Sequence, residues 1–117
     1  MAGAGDRVTL ERAEDIVAKL EAQGIRATTD PTMAAAPGVL VTPPNLEFNL
    51  QCGVSATWTL VALAPAAQTA DRTSWALLDE MVNAIAGTVD LETADVVAYV
   101  VNGRTYPAYL CQFTEGI

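Results

Sequence analysis

The 117-residue sequence has no histidine, a single lysine and only two cysteines. Histidine is the most common general base, and without it the usual means of activating a serine or cysteine nucleophile is missing. The one lysine, Lys19, falls on the polar face of a predicted helix, where it is poorly placed to act as a base instead. We therefore predict that the chain has no catalytic residues and is not an enzyme.

The two cysteines, Cys52 and Cys111, are too few for a disulfide framework or for a zinc site with four ligands. Both lie in segments typical of β-strands, where a free cysteine acts as a small apolar side chain. A disulfide between them is the alternative. The carboxylates of "DLETAD" (residues 90–95) lack the pattern of a calcium-binding loop, so we predict no metal site. The glycine motifs G-x-x-x-x-G-K-[ST] and G-x-G-x-x-G, which cradle phosphates, are also missing, and we predict no cofactor.

Positive charge is also scarce, because 6 basic side chains stand against 14 acidic ones and the net charge is -8. Binding to a phosphate backbone depends on Lys and Arg side chains that displace counterions. The sequence therefore argues against a tight nucleic-acid binder. It predicts instead an acidic surface that repels DNA.

Long hydrophobic runs are absent, since "LVALAPAA" is interrupted by Pro65 and is far shorter than a membrane span. The N-terminal residues lack the apolar core of a signal peptide, so we expect a soluble protein made in a cytoplasm. With 51% hydrophobic and 17% charged residues the chain is too apolar for disorder. We predict one domain over residues 1–117, with flexible ends at residues 1–7 and 114–117.

Two segments have the periodicity of amphipathic helices. The first, "TLERAEDIVAKLEAQ" (residues 9–23), has Thr9 as a plausible N-cap and Gly24 in the position that ends a helix. The second is "QTADRTSWALLDEMVNAIAG" (residues 68–87). Their apolar stripes predict the residues that face the core: Ala13, Ile16, Val17 and Leu20 in the first helix, and Trp75, Leu78, Val82 and Ile85, widened by Leu77 and Met81, in the second.

The remaining segments are typical of strands. "IRATTD" and "GVLVT" are short, and "LEFNLQC" alternates with a period of two, which predicts that Leu46, Phe48, Leu50 and Cys52 face the core. The alternation resumes after Gly53, either as a second strand of a hairpin or as one long strand with a bulge. Asn102-Gly103 between two β-rich runs predicts a hairpin with a type I′ turn.

The predicted order of elements is α-β-β-β-β-α-β-β. We therefore expect an α+β fold in which an antiparallel β-sheet of hairpins packs against two amphipathic helices.

Residues 31–44 are apolar and rich in proline, which is unusual for a loop exposed to water. We interpret this segment as a subunit or partner interface, with the tip of the last hairpin as a second candidate. The candidate interface residues are Pro31, Met33, Pro37, Val39, Pro43, Pro44, Asn102 and Gly103.

Five stretches occur in a familiar order: "LEAQGIRATTDP", "PGVLVTPPNLEFN", "CGVSATWTLVALAP", "SWALLDEMVNAI" and "YPAYLCQF". Together they resemble the tail terminator proteins of long-tailed bacteriophages, in particular the short minor tail proteins of phages that infect actinobacteria. The resemblance spans residues 8–113 and depends on the order and length of the segments. No single motif is diagnostic.

This resemblance implies a structural virion protein that forms a hexameric ring at the head-proximal, or neck, end of the phage tail tube. The ring would end tube polymerisation and form the head-tail joint, with the tube protein and a head-tail connector protein as partners. DNA would pass through an acidic lumen without specific binding. The acidic residues of the first helix are the lumen candidates: Glu11, Glu14, Asp15 and Glu21.

Two other functions remain open. Within the virion, a head-tail connector or head-closure protein of the phage neck has a similar size. Outside it, a small cytoplasmic α+β binding domain or enzyme would have a pocket with convergent polar groups.

Overall fold

Helices and strands follow one another in the order α-β-β-β-β-α-β-β, as the sequence predicts. A computed structural model of the chain describes residues 8–49, 53–65 and 72–116. Within these ranges the α-helices are α1 (Val8–Ala22) and α2 (Arg72–Ala86). The strands are β1 (Ala27–Thr28), β2 (Gly38–Val41), β3 (Asn45–Asn49), β4 (Gly53–Leu63), β5 (Thr93–Val101) and β6 (Arg104–Gly116). A short 3-10 helix, Pro31–Met33, lies between β1 and β2.

All the strands belong to one sheet, in the order β1-β2-β4-β6-β5, and β3 pairs with β4. The α+β class is confirmed, but the sheet is mixed rather than wholly antiparallel, because β1 is parallel to β2. The segment 29–37 explains the difference: it returns the chain to the end at which β1 began, so that β2 runs in the same direction.

The long strand β4 lies at the centre of the sheet. Its second half pairs with β2, its first half pairs with β3, and its other edge pairs with β6. Asn49 is opposite Gly53 in the β3–β4 ladder, so these strands form a hairpin and not one bulged strand. Gly53 has a φ of +87°, which glycine adopts without steric cost. Leu50 and Cys52 lie outside the described residues.

Helix α1 ends in a Schellman motif. The N–H of Gly24 donates to the carbonyl of Glu21, and the N–H of Ile25 donates to that of Leu20 at 3.0 Å. Gly24 has a φ of +83°, which confirms its predicted place after the helix. Thr9 lies within the described helix, Val8–Ala22, and is therefore not its N-cap.

Both helices lie on one face of the sheet and bury the larger core. On α1 the predicted stripe is confirmed, since Ala13, Ile16 and Leu20 are buried. On α2 the prediction is wrong for Trp75, which is 64% exposed. The buried residues of α2 are Ser74, Leu78, Met81 and Ile85. These follow the i, i+4, i+7, i+11 spacing of one helix face, which places Trp75 to the side of it.

A second, smaller core covers part of the opposite face of the sheet. It is built from Leu40, Val61, Leu63, Val101 and Ala108. Two small residues of the loop before β2, Ala34 and Ala36, pack against it. The apolar composition of that loop therefore has an explanation within the chain itself, because the loop covers its own sheet.

The sheet is longer than the helices that cover it. Each helix has 15 residues and spans about 22 Å, whereas β6 has 13 residues and spans about 43 Å. Leu46 and Phe48 share a sheet face with Trp58, as their alternation predicts, yet they are 43% and 76% exposed. The prediction that they are buried is wrong because the β3–β4 hairpin projects beyond the helices.

The C-terminal end of the chain continues the sheet. Residues 114–116 belong to β6, and the ladder with β4 pairs Ser55 with Gly116. The prediction of a flexible segment from residue 114 is therefore wrong for these residues, because β4 offers them a complete pairing partner. Residues 1–7 and 117 lie outside the described part of the chain.

Candidate interaction surfaces

The first candidate segment and the tip of the last hairpin lie against each other. The side chain of Asp30 caps the 3-10 helix by accepting hydrogen bonds from the N–H and hydroxyl of Thr32, at 2.9 and 2.8 Å. The amide Nδ2 of Asn102 donates to the carbonyl of Pro31 at 2.9 Å. Sequence reasoning named both regions without relating them, and the structure combines them into one surface.

The Asn102-Gly103 turn has the predicted geometry. Val101 is paired with Arg104, so the turn has two residues, and the φ angles of Asn102 and Gly103 are +51° and +76°. Both positive angles are typical of a type I′ turn. At this end of the molecule Pro31, Met33, Pro37, Asn102 and Gly103 are exposed, and Met33 reaches 67%.

The other candidates in residues 31–44 lie elsewhere. Val39 is only 2% exposed in β2, so its assignment to an interface is wrong: its side chain belongs to the core beneath the helices. Pro43 and Pro44 follow β2 and line a cavity together with Leu10 and Trp58. Strand β2 thus divides the predicted single interface into two separate surfaces.

The acidic residues proposed for a lumen lie along the polar side of α1, where Glu11, Glu14 and Glu21 are exposed and form no ion pair with any described residue. Asp15 differs from them. Its Oδ2 lies 3.1 Å from Lys19 Nζ and 2.9 Å from Arg12 Nη1. The hydrogen bonds from Lys19 and Arg12 hold the pKa of the Asp15 carboxyl below its usual value. Its charge is therefore largely balanced.

Arg12 also joins α1 to the end of β6. Its Nε and Nη2 donate to the two carboxylate oxygens of Glu115 at 2.9 and 3.1 Å, which is a bidentate pair. The indole Nε1 of Trp58 donates to Glu115 Oε2 at 3.2 Å. The hydrogen bond to Glu115 raises the pKa of Arg12. The Arg12 guanidinium and the Trp58 indole N–H thus share the Glu115 carboxylate as their hydrogen-bond acceptor.

Cys111 is a free, buried thiol in the core beneath the helices. Burial, and to a smaller extent the charge of Asp95, raises its pKa to about 11. At neutral pH it is therefore protonated and acts as the small apolar side chain that the sequence predicts. Among residues 8–49, 53–65 and 72–116, no group of three or more acidic, Cys or His side chains has the arrangement of a metal site.

Sequence reasoning missed two pairs of exposed apolar side chains. Leu46 and Phe48 form one such pair on the β3–β4 hairpin, which we call the arm (Asn45–Asn49 with residues 53–57). A second pair, Val96 and Val100, is 73% and 63% exposed on β5. A comparison of helix length with strand length would have revealed the arm, because about 22 Å of helix cannot cover about 43 Å of strand.

No family model, curated protein or solved structure matches the chain. The tail terminator therefore remains an expectation from the sequence resemblance, to be weighed against the surfaces described above. Neither described helix is long and apolar enough to cross a bilayer.

Proposed function

We propose that the chain is a structural protein of a phage tail, a terminator whose copies form a ring at the head-proximal end of the tail tube. The observation that carries the proposal is the arm. It projects beyond the helices with Phe48 76% exposed and Leu46 43% exposed. An apolar pair of this exposure on a projecting hairpin is typical of a surface that a neighbouring subunit covers.

A ring is built from head-to-tail contacts, in which one surface of a subunit meets a different surface of the next. The arm supplies one such surface. The joined surface of Pro31, Met33 and the Asn102-Gly103 turn supplies a second, at the other end of the sheet. The resemblance implies six copies, and this number is part of the proposal.

The polar side of α1 supports an acidic lumen. Glu11, Glu14 and Glu21 are exposed on that side and form no ion pair with any described residue. Phosphates of a passing duplex would be repelled rather than held, which favours sliding over binding. Asp15 contributes less than we expect from the sequence, because Arg12 and Lys19 balance it.

Electron microscopy of tail tubes assembled with and without the protein tests the proposal. We expect tubes of uniform length, each with a ring at one end, only when the protein is present. The variant Phe48→Ser should lose length control while remaining folded, because its side chain packs against little in the free subunit. Trp75→Ser changes an apolar side chain on α2 that is also largely exposed, at 64%, and is the matched control that should terminate tubes normally.

Uncontrolled tube length with the unmodified protein would refute the terminator. A ring found on the head side of the joint instead would identify a head-tail connector or head-closure protein. For the lumen, the triple variant Glu11→Lys, Glu14→Lys, Glu21→Lys should assemble rings but retain DNA during ejection. Unchanged DNA release would place α1 outside the channel.

A further inference from the structure

Strand β5 forms an open edge of the sheet. Within the described residues it pairs only with β6, while the opposite side of the sheet ends in β1, a strand of two residues, and β3, a strand of five. Natural sheets blunt their edges with short strands, lysines, prolines or bulges. Strand β5 has nine residues, "TADVVAYVV", with no proline or lysine and with Asp95 as its only charge. This edge has the composition of a strand that another strand covers.

The register shows which backbone groups are free. Val101 and Arg104 flank a two-residue turn and are therefore a hydrogen-bonded pair. Hydrogen-bonded pairs alternate along an antiparallel ladder, so the backbone groups of the odd-numbered residues of β5 face β6. The backbone N–H and C=O groups of the even-numbered residues point away from β6, toward the open edge: Ala94, Val96, Ala98 and Val100. The carbonyl of Pro107, opposite Ala98, accepts from the N–H of Ala64, the residue after β4, on the other side of β6, which agrees with this alternation.

We propose that two copies of the chain pair through β5, antiparallel about a two-fold axis at Val97, so that their two sheets become one. In this register all nine residues of each strand are paired. Residues whose backbone N–H and C=O groups point outward lie opposite each other, so they can form hydrogen bonds between the copies. It places Val96 opposite Ala98 of the second copy and Val100 opposite Ala94. The alternation of Ala and Val on this face is thus self-complementary, because each exposed valine meets a small side chain.

Charge favours the same register. Asp95 would lie opposite Tyr99 of the second copy, so the two Asp95 carboxylates do not face each other. For a chain of net charge -8, a strand with a single charged side chain adds little repulsion to a contact between two copies. The occupant that fits the edge in length, shape and charge is therefore a second β5.

The pairing does not rest on the proposed ring. A single head-to-tail ring has no such two-fold axes, and the ring contacts proposed above do not use β5, so the pair is assigned to the free protein. The two proposals fail separately. A free protein that stays monomeric refutes the pairing alone, and uncontrolled tube length refutes the terminator alone.

Sedimentation of the purified full chain over a range of concentrations tests the pairing. We expect a mass twice the 12.3 kDa of one chain, which falls toward one chain on dilution. A mass of one chain at every concentration would overturn the proposal. It would do so even if a different protein were later found to cover β5, because the proposed occupant is a second copy. The variant Val96→Pro removes only an outward N–H, so it should fold, by circular dichroism, and sediment as a monomer.

Val96→Thr is the matched control, because it keeps the N–H and the branched shape and should retain the dimer. A Val96→Pro protein that folds and remains dimeric would show that β5 is not the interface.

Cysteine cross-linking tests the register in a Cys52→Ser background. Val97→Cys would face its own copy across the axis in a non-hydrogen-bonded pair, where Cβ atoms are close enough for a disulfide. Under mild oxidation we expect covalent dimers from Val97→Cys and few from Val100→Cys, which faces Ala94. Equal cross-linking at both positions would overturn the proposed pairing.

Discussion

Arg12 and Glu115 are separated by 103 positions in the chain and form a bidentate ion pair between α1 and the last strand. Both side chains are 25% exposed, and Glu115 also accepts the indole N–H of the fully buried Trp58. This one carboxylate therefore connects the first helix, the central strand and the C-terminal end of the sheet.

Replacing Glu115 should destabilise the fold. We expect Glu115→Ala to lower the free energy of unfolding by about 1–3 kcal/mol, because Arg12 and the Trp58 indole lose their charged acceptor. Denaturant unfolding followed by circular dichroism measures the loss. Asp15→Asn is the control: it breaks only exposed ion pairs of Arg12 and Lys19, so its effect should be clearly smaller. An equal effect of the two substitutions would contradict the role of Glu115.

The turn residues of the last hairpin should differ in their sensitivity. Gly103 has a φ of +76°, so Gly103→Ala should cost about 1 kcal/mol of stability through backbone strain. Asn102→Gly keeps the positive φ but removes the hydrogen bond to Pro31, and it should cost roughly 0.5–1.5 kcal/mol. Unfolding curves provide both values. A neutral Asn102→Gly would mean that the bond to Pro31 adds nothing.

The two tryptophans form a matched pair. Trp58 is fully buried, so Trp58→Ala should cost about 3–5 kcal/mol. Trp75 is 64% exposed, and Trp75→Ala should change stability by no more than about 0.5 kcal/mol. Fluorescence offers an independent measurement, because a quencher in solution should reach Trp75 and spare Trp58. Strong protection of both indoles in the monomeric Val96→Pro variant would contradict this assignment.

The thiol of Cys111 should be unreactive in the folded state. Because burial raises its pKa to about 11 above the ordinary value of 9.0, the folded chain keeps the proton while the unfolded chain releases it. The contribution of the Cys111 thiol to the free energy of unfolding is therefore fully present below about pH 9, and it is lost as the pH rises toward 11. In a Cys52→Ser background, a thiol reagent at pH 8 should label Cys111 only after denaturant is added. Rapid labelling of the native protein would refute the burial.

Local patterns in the sequence predict the elements well. The period of Ala13, Ile16 and Leu20, the Gly24 end of α1 and the Asn102-Gly103 turn depend on neighbouring residues, and each is confirmed. Burial depends on what covers a face, and the sequence pattern does not contain that information. The alternation of Leu46 and Phe48 assigned the correct face of the sheet, but neither described helix, α1 or α2, covers that part of it.

The candidate surfaces were predicted less completely for the same reason. Composition singled out residues 31–44 as a unit, whereas Val39 belongs to the core and Ala34 packs on the second face of the sheet. The contact of Asn102 with Pro31 spans 71 positions and has no local signature. The open edge at β5 follows from the strand order, which depends on non-local pairing.

The central position of β4 has a mechanical consequence. Nine successive residue pairs, from Ser55–Gly116 to Leu63–Ala108, join it to β6 along almost its whole length. A pull on the molecule along its long axis would load these pairs side by side, in shear, so that many hydrogen bonds must fail together. A pull across the strands would open them one at a time. The subunit should therefore resist tension far better along its 50 Å dimension than across it.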